Sequence, residues 1–286
     1  MTFEDYSLEI KKSSLNIENI DNIIEEFKGY QNLALDTLRE FHRLCEDNEI
    51  NYQLAYGSLL GAIRDNGQLP WDYDIDVFVP YEQKAKLLKV LRTQLNEKFY
   101  FVGPETDPHC VRGIIRVTPK GYNSDFLHVD VFYLAGIPED EVEAATLRNM
   151  LTKIQKYRYA RFINPFSEAH GDIKKLASLI FGKIKNYTFK WNYYAEQYEK
   201  LCTQCPTNVS KYLVDTGLWA NHCKYDKDDI LNTVLFTTRD GTFRIPVGYE
   251  NILSMGYGNY RKYMPLEDRV SEMLHNYWKL KKYGKL

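Results

Sequence analysis

The sequence predicts an α+β fold, in which short strands gather in the first half between helices and the second half is largely helical. Three observations carry this expectation. Residues 19–48 place apolar side chains at helical spacing, with Ile20, Ile23, Ile24 and Phe27 followed by Leu33, Leu35, Leu38, Phe41 and Leu44. Two stretches, 71–80 and 128–133, switch to a period of two and read as buried strands. From 139 to about 235 the helical pattern returns.

Taken in order, Gly29 interrupts the first periodic segment, so two helices are expected there. Residues 52–56 read as a strand, and Ser58 is placed to cap a short helix over 59–64 that ends at the Asp65, Asn66, Gly67 turn. A strand through Asp76, an amphipathic helix over 82–98 and a strand over 111–118 follow. Near the end, 243–246 is extended and a helix begins at Tyr249. The 286 residues can bury a large core. They divide into N-terminal helices (1–48), a catalytic core (49–137) and a mainly helical part (138–286) that completes a cleft, all three within one continuous domain if no linker separates them.

The 37 basic and 39 acidic residues nearly cancel, to −2, which gives no reason to expect nucleic acid as a partner. No apolar run approaches a membrane span, and Met1–Tyr6 has no signal-peptide character. Cys45, Cys110, Cys202, Cys205 and Cys223 form no paired framework, so free thiols in the cytoplasm are expected, with the inner membrane surface as a second possible station.

The chemistry concentrates between Tyr56 and Pro80. Alternation along the strand puts Asp72, Asp74 and Asp76 on one face while Ile75 and Val77 enter the core. A row of carboxylates repels itself unless a cation sits among the oxygens, and hard oxygen donors suit Mg²⁺ or Mn²⁺. The second strand places His128, Asp130 and Phe132 on one face, which makes Asp130 a third inward carboxylate and the expected base. Gly57 permits close approach of backbone to a phosphate, and the amides around Ser58 point donors at it. Arg64, Arg112 and Arg116 are the candidate phosphate clamps, and His128 either touches acceptor or metal shell or is a core histidine hydrogen-bonded to its neighbours. Asp226 and Asp228 repeat the Asp-x-Asp spacing without an apolar strand and read as a solvated helix start.

The run Gly57 to Arg64, then Pro70 to Asp76, His128 to Phe132, Phe243 to Tyr249 and Tyr257 to Tyr260, resembles the signature of the LicD family of phosphotransferases, which includes fukutin and fukutin-related protein. The likeness covers about 31–266, loosely in the middle. It implies a nucleotidyltransferase-like fold, with a short mixed sheet flanked by helices. It also implies Mg²⁺-dependent transfer of phosphocholine or a related phospho-alcohol from a CDP-alcohol donor to a hydroxyl of a glycan or lipid-linked glycan acceptor, with CMP leaving. The family's metal-binding aspartates fall on Asp74, Asp76 and Asp130, and Asp72 matches the motif at the strand entrance. Tyr133 to Ala135 stands where members often have Pro-Leu-Asp, and Asn259 where Asp is usual.

Rival readings are a nucleotidyltransferase, an Asp-x-Asp glycosyltransferase with another nucleotide donor, and a non-catalytic binding module. Cys202, Cys205, His222 and Cys223 have the ligand types of a structural zinc site. Residues 172–191 interleave lysines with apolar positions, a pattern that fits either peripheral membrane contact or a helix laid on the core.

Overall fold

The computed structural model describes residues 1–15, 17–107, 110, 113–169, 171–186, 193–217 and 223–286. Helix α1 (Phe3–Lys12) starts in a capping box between Thr2 and Asp5. Helix α2 (Ile20–Asp47) runs unbroken for 28 residues. The expected break at Gly29 is absent because that glycine faces open space and its helical cost, about 1 kcal/mol, is outweighed by burial of Phe27, Leu38, Phe41 and Leu44.

Strand β1 (Gln53–Leu54) leads into helix α3 (Tyr56–Leu60), a π-helical turn (Gly61–Asp65) and strand β2 (Ile75–Pro80). Helix α4 (Lys84–Gln94) connects to β3 (Phe99–Val102), β4 (Ile115–Pro119) and the long β5 (Val129–Ile137). Next come α5 (Glu141–Phe162), α6 (Pro165–Ala169), α7 (Ile173–Asn186) and α8 (Tyr193–Cys202). The chain then returns through β6 (Tyr212–Asp215) and β7 (Tyr225–Asp226) to α9 (Lys227–Leu231). The hairpin β8 (Thr233–Thr238) and β9 (Gly241–Pro246) and the helices α10 (Tyr249–Tyr257) and α11 (Leu266–Tyr283) complete the fold.

The sheet is mixed and flanked by helices, as expected for α+β, with β1-β2-β5-β4-β3 as its main path. β2 and β5 are parallel, while β4 and β6 both lie antiparallel to β5, against its first and second halves. The stretch read as helical up to about 235 therefore contributes two strands. Their short apolar runs, such as Leu213 and Val214, are buried on the edge of β5, and tertiary pairing overrides any helical pattern there.

The parallel pair orients the site. Ile75, Val77, Val129 and Val131 are all essentially inaccessible and face α2, so the alternate side chains must point to the opposite face. The tip of the β8–β9 hairpin secures the turn before β2. Arg239 donates to the carbonyls of Asp65 (2.7 Å) and Gln68 (2.6 Å), and Asp240 accepts from the Gln68 amide (2.6 Å). Gly67, at φ +153°, lies so close to Asp240 and Arg239 that a Cβ would overlap both.

Candidate active site

In the β2–β5–β4 ladder Asp76 pairs with Asp130, and Asp130 pairs with Arg116, so three charged residues occupy one row across three strands. Asp74 stands two residues before Asp76, just ahead of the strand. Asp130 is buried, whereas Asp72, Asp74 and Asp76 are partly accessible.

The Gly57–Ser58 turn packs directly against this row. Ser58 does not cap a helix: the N-cap position belongs to Ala55, and the Ser58 Oγ accepts the Asp76 backbone N–H at 2.9 Å, tying α3 to the start of β2. A Cβ on Gly57 would stand 2.7 Å from the Asp72 Oδ2, so glycine is required by the approach of that carboxylate. Tyr56, immediately before, holds a left-handed backbone (φ 44°). Its ring packs on Phe78 and Phe132, and its hydroxyl donates to the buried Asp215. The Gly57 turn is thereby anchored at both ends.

The carboxylates form a strongly acidic cluster. Burial, then the charge of Asp74 and a hydrogen bond shared with it, then Asp76, push the Asp72 carboxyl well above the usual range. Glu272 of α11 is raised by burial and by the Asp74 charge. Tyr257, at the end of α10, is raised by burial and then by the Asp76, Asp72 and Asp74 charges, which places the closing Tyr257–Tyr260 motif beside the aspartates.

The cationic side is smaller. Arg116 gives its Nε to Asp130 (2.9 Å) and its Nη1 to Asp125 (2.6 Å), while its buried Nη2 has no hydrogen-bond partner among the described residues. The His128 Nε2 lies 3.2 Å from the Asp130 Oδ1, outside hydrogen-bond geometry, and neither buried ring nitrogen has a hydrogen-bond partner among the described residues.

Arg64 is engaged otherwise. Its guanidinium lies 2.9 Å from Asp65, donates to the Tyr260 carbonyl and sits 4.3 Å from the centre of the Tyr263 ring, an arrangement that binds the π-helical turn to the C-terminal segment. Arg112 lies outside the described residues, as does His222.

The donor set fits a hard divalent cation in kind: all-oxygen, partly desolvated, and with more negative charge than Arg116 offsets. Asp74, Asp76 and Asp130 are the residues that would hold it. Among the described residues no three His, Cys, Asp or Glu side chains converge as a ligand cluster, and Asp130 is turned onto Arg116. Cys202 and Cys205 are free thiols, and burial pushes the Cys202 thiol far up.

Two supporting residues escaped the sequence reading. Gln31 of α2 is buried and donates both to the Leu69 carbonyl (2.8 Å) and to the Asp72 carbonyl, fixing the segment that enters β2. Its place on the buried face of α2 was the available signal, since an amide there needs polar partners. Asp215, the anchor of Tyr56, ends strand β6, which lies between β5 and β7.

Residues 49–170 match the family model described as LicD/FKTN/FKRP, nucleotidyltransferase domain. The chain is 26% identical over 254 residues to the lipopolysaccharide cholinephosphotransferase LicD of Haemophilus influenzae, a match that spans 84% of this chain and 92% of that protein. An uncharacterized protein of Rickettsia prowazekii is 35% identical over 54 residues, or 19% of this chain and 20% of its own length. A Rickettsia typhi protein is 33% identical over 54 residues, 19% of this chain and 18% of its own. The chain thus matches the LicD family model over residues 49–170 and is similar to a cholinephosphotransferase over most of its length.

Proposed function

We propose that the protein moves a phospho-alcohol, phosphocholine or a close relative, from a CDP-alcohol to a hydroxyl of a glycan or lipid-linked glycan, with release of CMP. The observation that carries this reading is the charged row Asp76, Asp130, Arg116 beside a glycine turn against which the Asp72 carboxylate packs. A diphosphate needs backbone donors, a forked cation and neutralisation of its charge. Likeness over most of its length to a cholinephosphotransferase supports phosphocholine as the first group to try.

In this scheme Gly57 and the amides that follow it face the donor phosphates, and the unbonded Nη2 of Arg116 offers them a further donor. Mg²⁺ held by Asp74, Asp76 and Asp130 would supply charge neutralisation and a lowered pKa for the acceptor hydroxyl. Asp130, with His128 3.2 Å away, would accept that proton. Tyr257, half-buried and with its hydroxyl raised by desolvation and then by the charges of Asp76, Asp72 and Asp74, offers a ring that suits a choline ammonium. Cys45, Cys202, Cys205 and Cys223 are free thiols, which supports work in a reducing compartment such as the cytoplasm.

The test is incubation with CDP-choline, CDP-ribitol, CDP-glycerol, UDP-glucose or ATP, with Mg²⁺ or with EDTA, read by thermal stability and by product mass. A donor at about 100 times its Kd stabilises by about 2.7 kcal/mol. A Mg²⁺-dependent shift with one CDP-alcohol, and CMP among the products, is the expected result. A shift confined to UDP-glucose or ATP would transfer the chain to another nucleotide chemistry.

A further inference from the structure

Helix α7, with the sequence IKKLASLIFGKIKN, carries four lysines and no acidic residue in a chain whose overall charge is −2. Ile173, Leu176, Ile180, Phe181 and Ile184 recur at i, i+3, i+7, i+8 and i+11, the spacing of a single apolar stripe. Were the stripe laid on the core, these side chains would be buried. Ile173 is 80% exposed, Phe181 71% and Ile184 65%, and no described side chain of α7 is fully buried. Phe166 of α6, 70% exposed, extends the same surface. Between the two helices lies an open cleft of about 610 Å³, walled by Ile163, Pro165, Phe166, Ile180 and Ile184, with Lys183 beside them.

We propose that the α6–α7 hairpin is a docking face for an anionic lipid surface. An apolar stripe flanked by lysines needs a partner that offers apolar depth and negative charge together, and the headgroup boundary of an anionic bilayer offers both. A second copy fits less well, since a two-fold contact through this face would set lysines against lysines. Among the described residues no helix is long and apolar enough to cross a membrane, so the contact is a surface one. The inference goes beyond the transfer reaction and holds whether or not the acceptor is lipid-linked.

The test is flotation of the whole chain with vesicles of phosphatidylglycerol and phosphatidylethanolamine, against vesicles of phosphatidylcholine alone. Salt-sensitive binding to the anionic vesicles only is expected. Lys174→Glu with Lys175→Glu should lower partitioning at least about tenfold, since each basic group near such a surface contributes several-fold. Phe181→Ser with Ile184→Ser should abolish binding while the thermal midpoint stays put, because both positions are exposed. Absence of flotation, equal flotation with both lipid compositions, or unchanged binding by the variants would overturn the proposal. So would a concentration-dependent dimer lost in Phe181→Ser, which would give the stripe to a second copy.

Discussion

Asp76 and Asp130 are direct register partners in parallel strands, so their carboxylates emerge side by side on the face opposite the valine core. Nothing in the stability of a sheet favours two like charges in that relation, and adjacent like charges destabilise it. Asp72, whose carboxyl is pushed up by burial and by Asp74 and Asp76, shows the same repulsion one turn earlier. Residues that cost a fold stability point to chemistry as their reason.

Activity and stability should accordingly part company at these positions. Asp76→Asn and Asp74→Asn are expected to lower kcat at least about 100-fold. Their thermal midpoints in EDTA should hold or rise, since each substitution removes one repelling charge. Wild-type turnover in either variant would remove it from the metal set, and unfolding of both would show that the carboxylates serve the fold.

Gly57→Ala tests the turn without touching charge. Its new methyl would stand 2.7 Å from the Asp72 Oδ2, a distance that real contacts do not reach, so the turn, the entrance to β2 or the Asp72 carboxylate must shift. A loss of about 1–3 kcal/mol is expected by denaturant titration, together with a fall in kcat larger than the change in KM. An alanine variant of full stability would mean that the carboxylate moves aside at no cost.

Arg116 balances the buried Asp130. Arg116→Met leaves that carboxylate without its buried partner and should cost about 3–5 kcal/mol. Added Mg²⁺ should restore part of the loss if Asp130 is a ligand, because the cation then replaces the guanidinium. Equal destabilisation with Mg²⁺ and with EDTA would confine Arg116 and Asp130 to a structural pair.

Much of this was legible in the sequence because period-two alternation is a local signal. Ile75, Val77, Val129 and Val131 declared the buried face, and the aspartates between them declared the other. Asp226, read as a solvated helix start, does cap α9 through the Asp228 amide. What the pattern missed depends on distant partners. Gly29 looked like a break until α2 was seen to bury residues on both sides of it, and β6 gains its identity only by pairing with β5 about 80 residues earlier. Arg64 was read as a phosphate clamp from its place after the glycine turn, and only the fold brings it Asp65 and the Tyr263 ring.

Asp215 lies outside the carboxylate row and yields a prediction in pH. Burial pushes its carboxyl up to about 7, against the lowering effect of the Gly217 amide. An unfolded aspartate releases its proton near pH 3.9, so between that value and about pH 7 the folded chain holds the proton and the unfolded chain does not. This group therefore contributes stability at low pH that is lost as pH rises, and the contribution levels off above about pH 7. Asp215→Asn keeps the shape and an acceptor for the Tyr56 hydroxyl but cannot titrate. Urea titrations from about pH 5 to about pH 8 should show the variant gaining on the wild type as pH rises. Parallel curves would mean that Asp215 is ionised throughout, with the Tyr56 hydroxyl and the Gly217 amide holding its charge in the core.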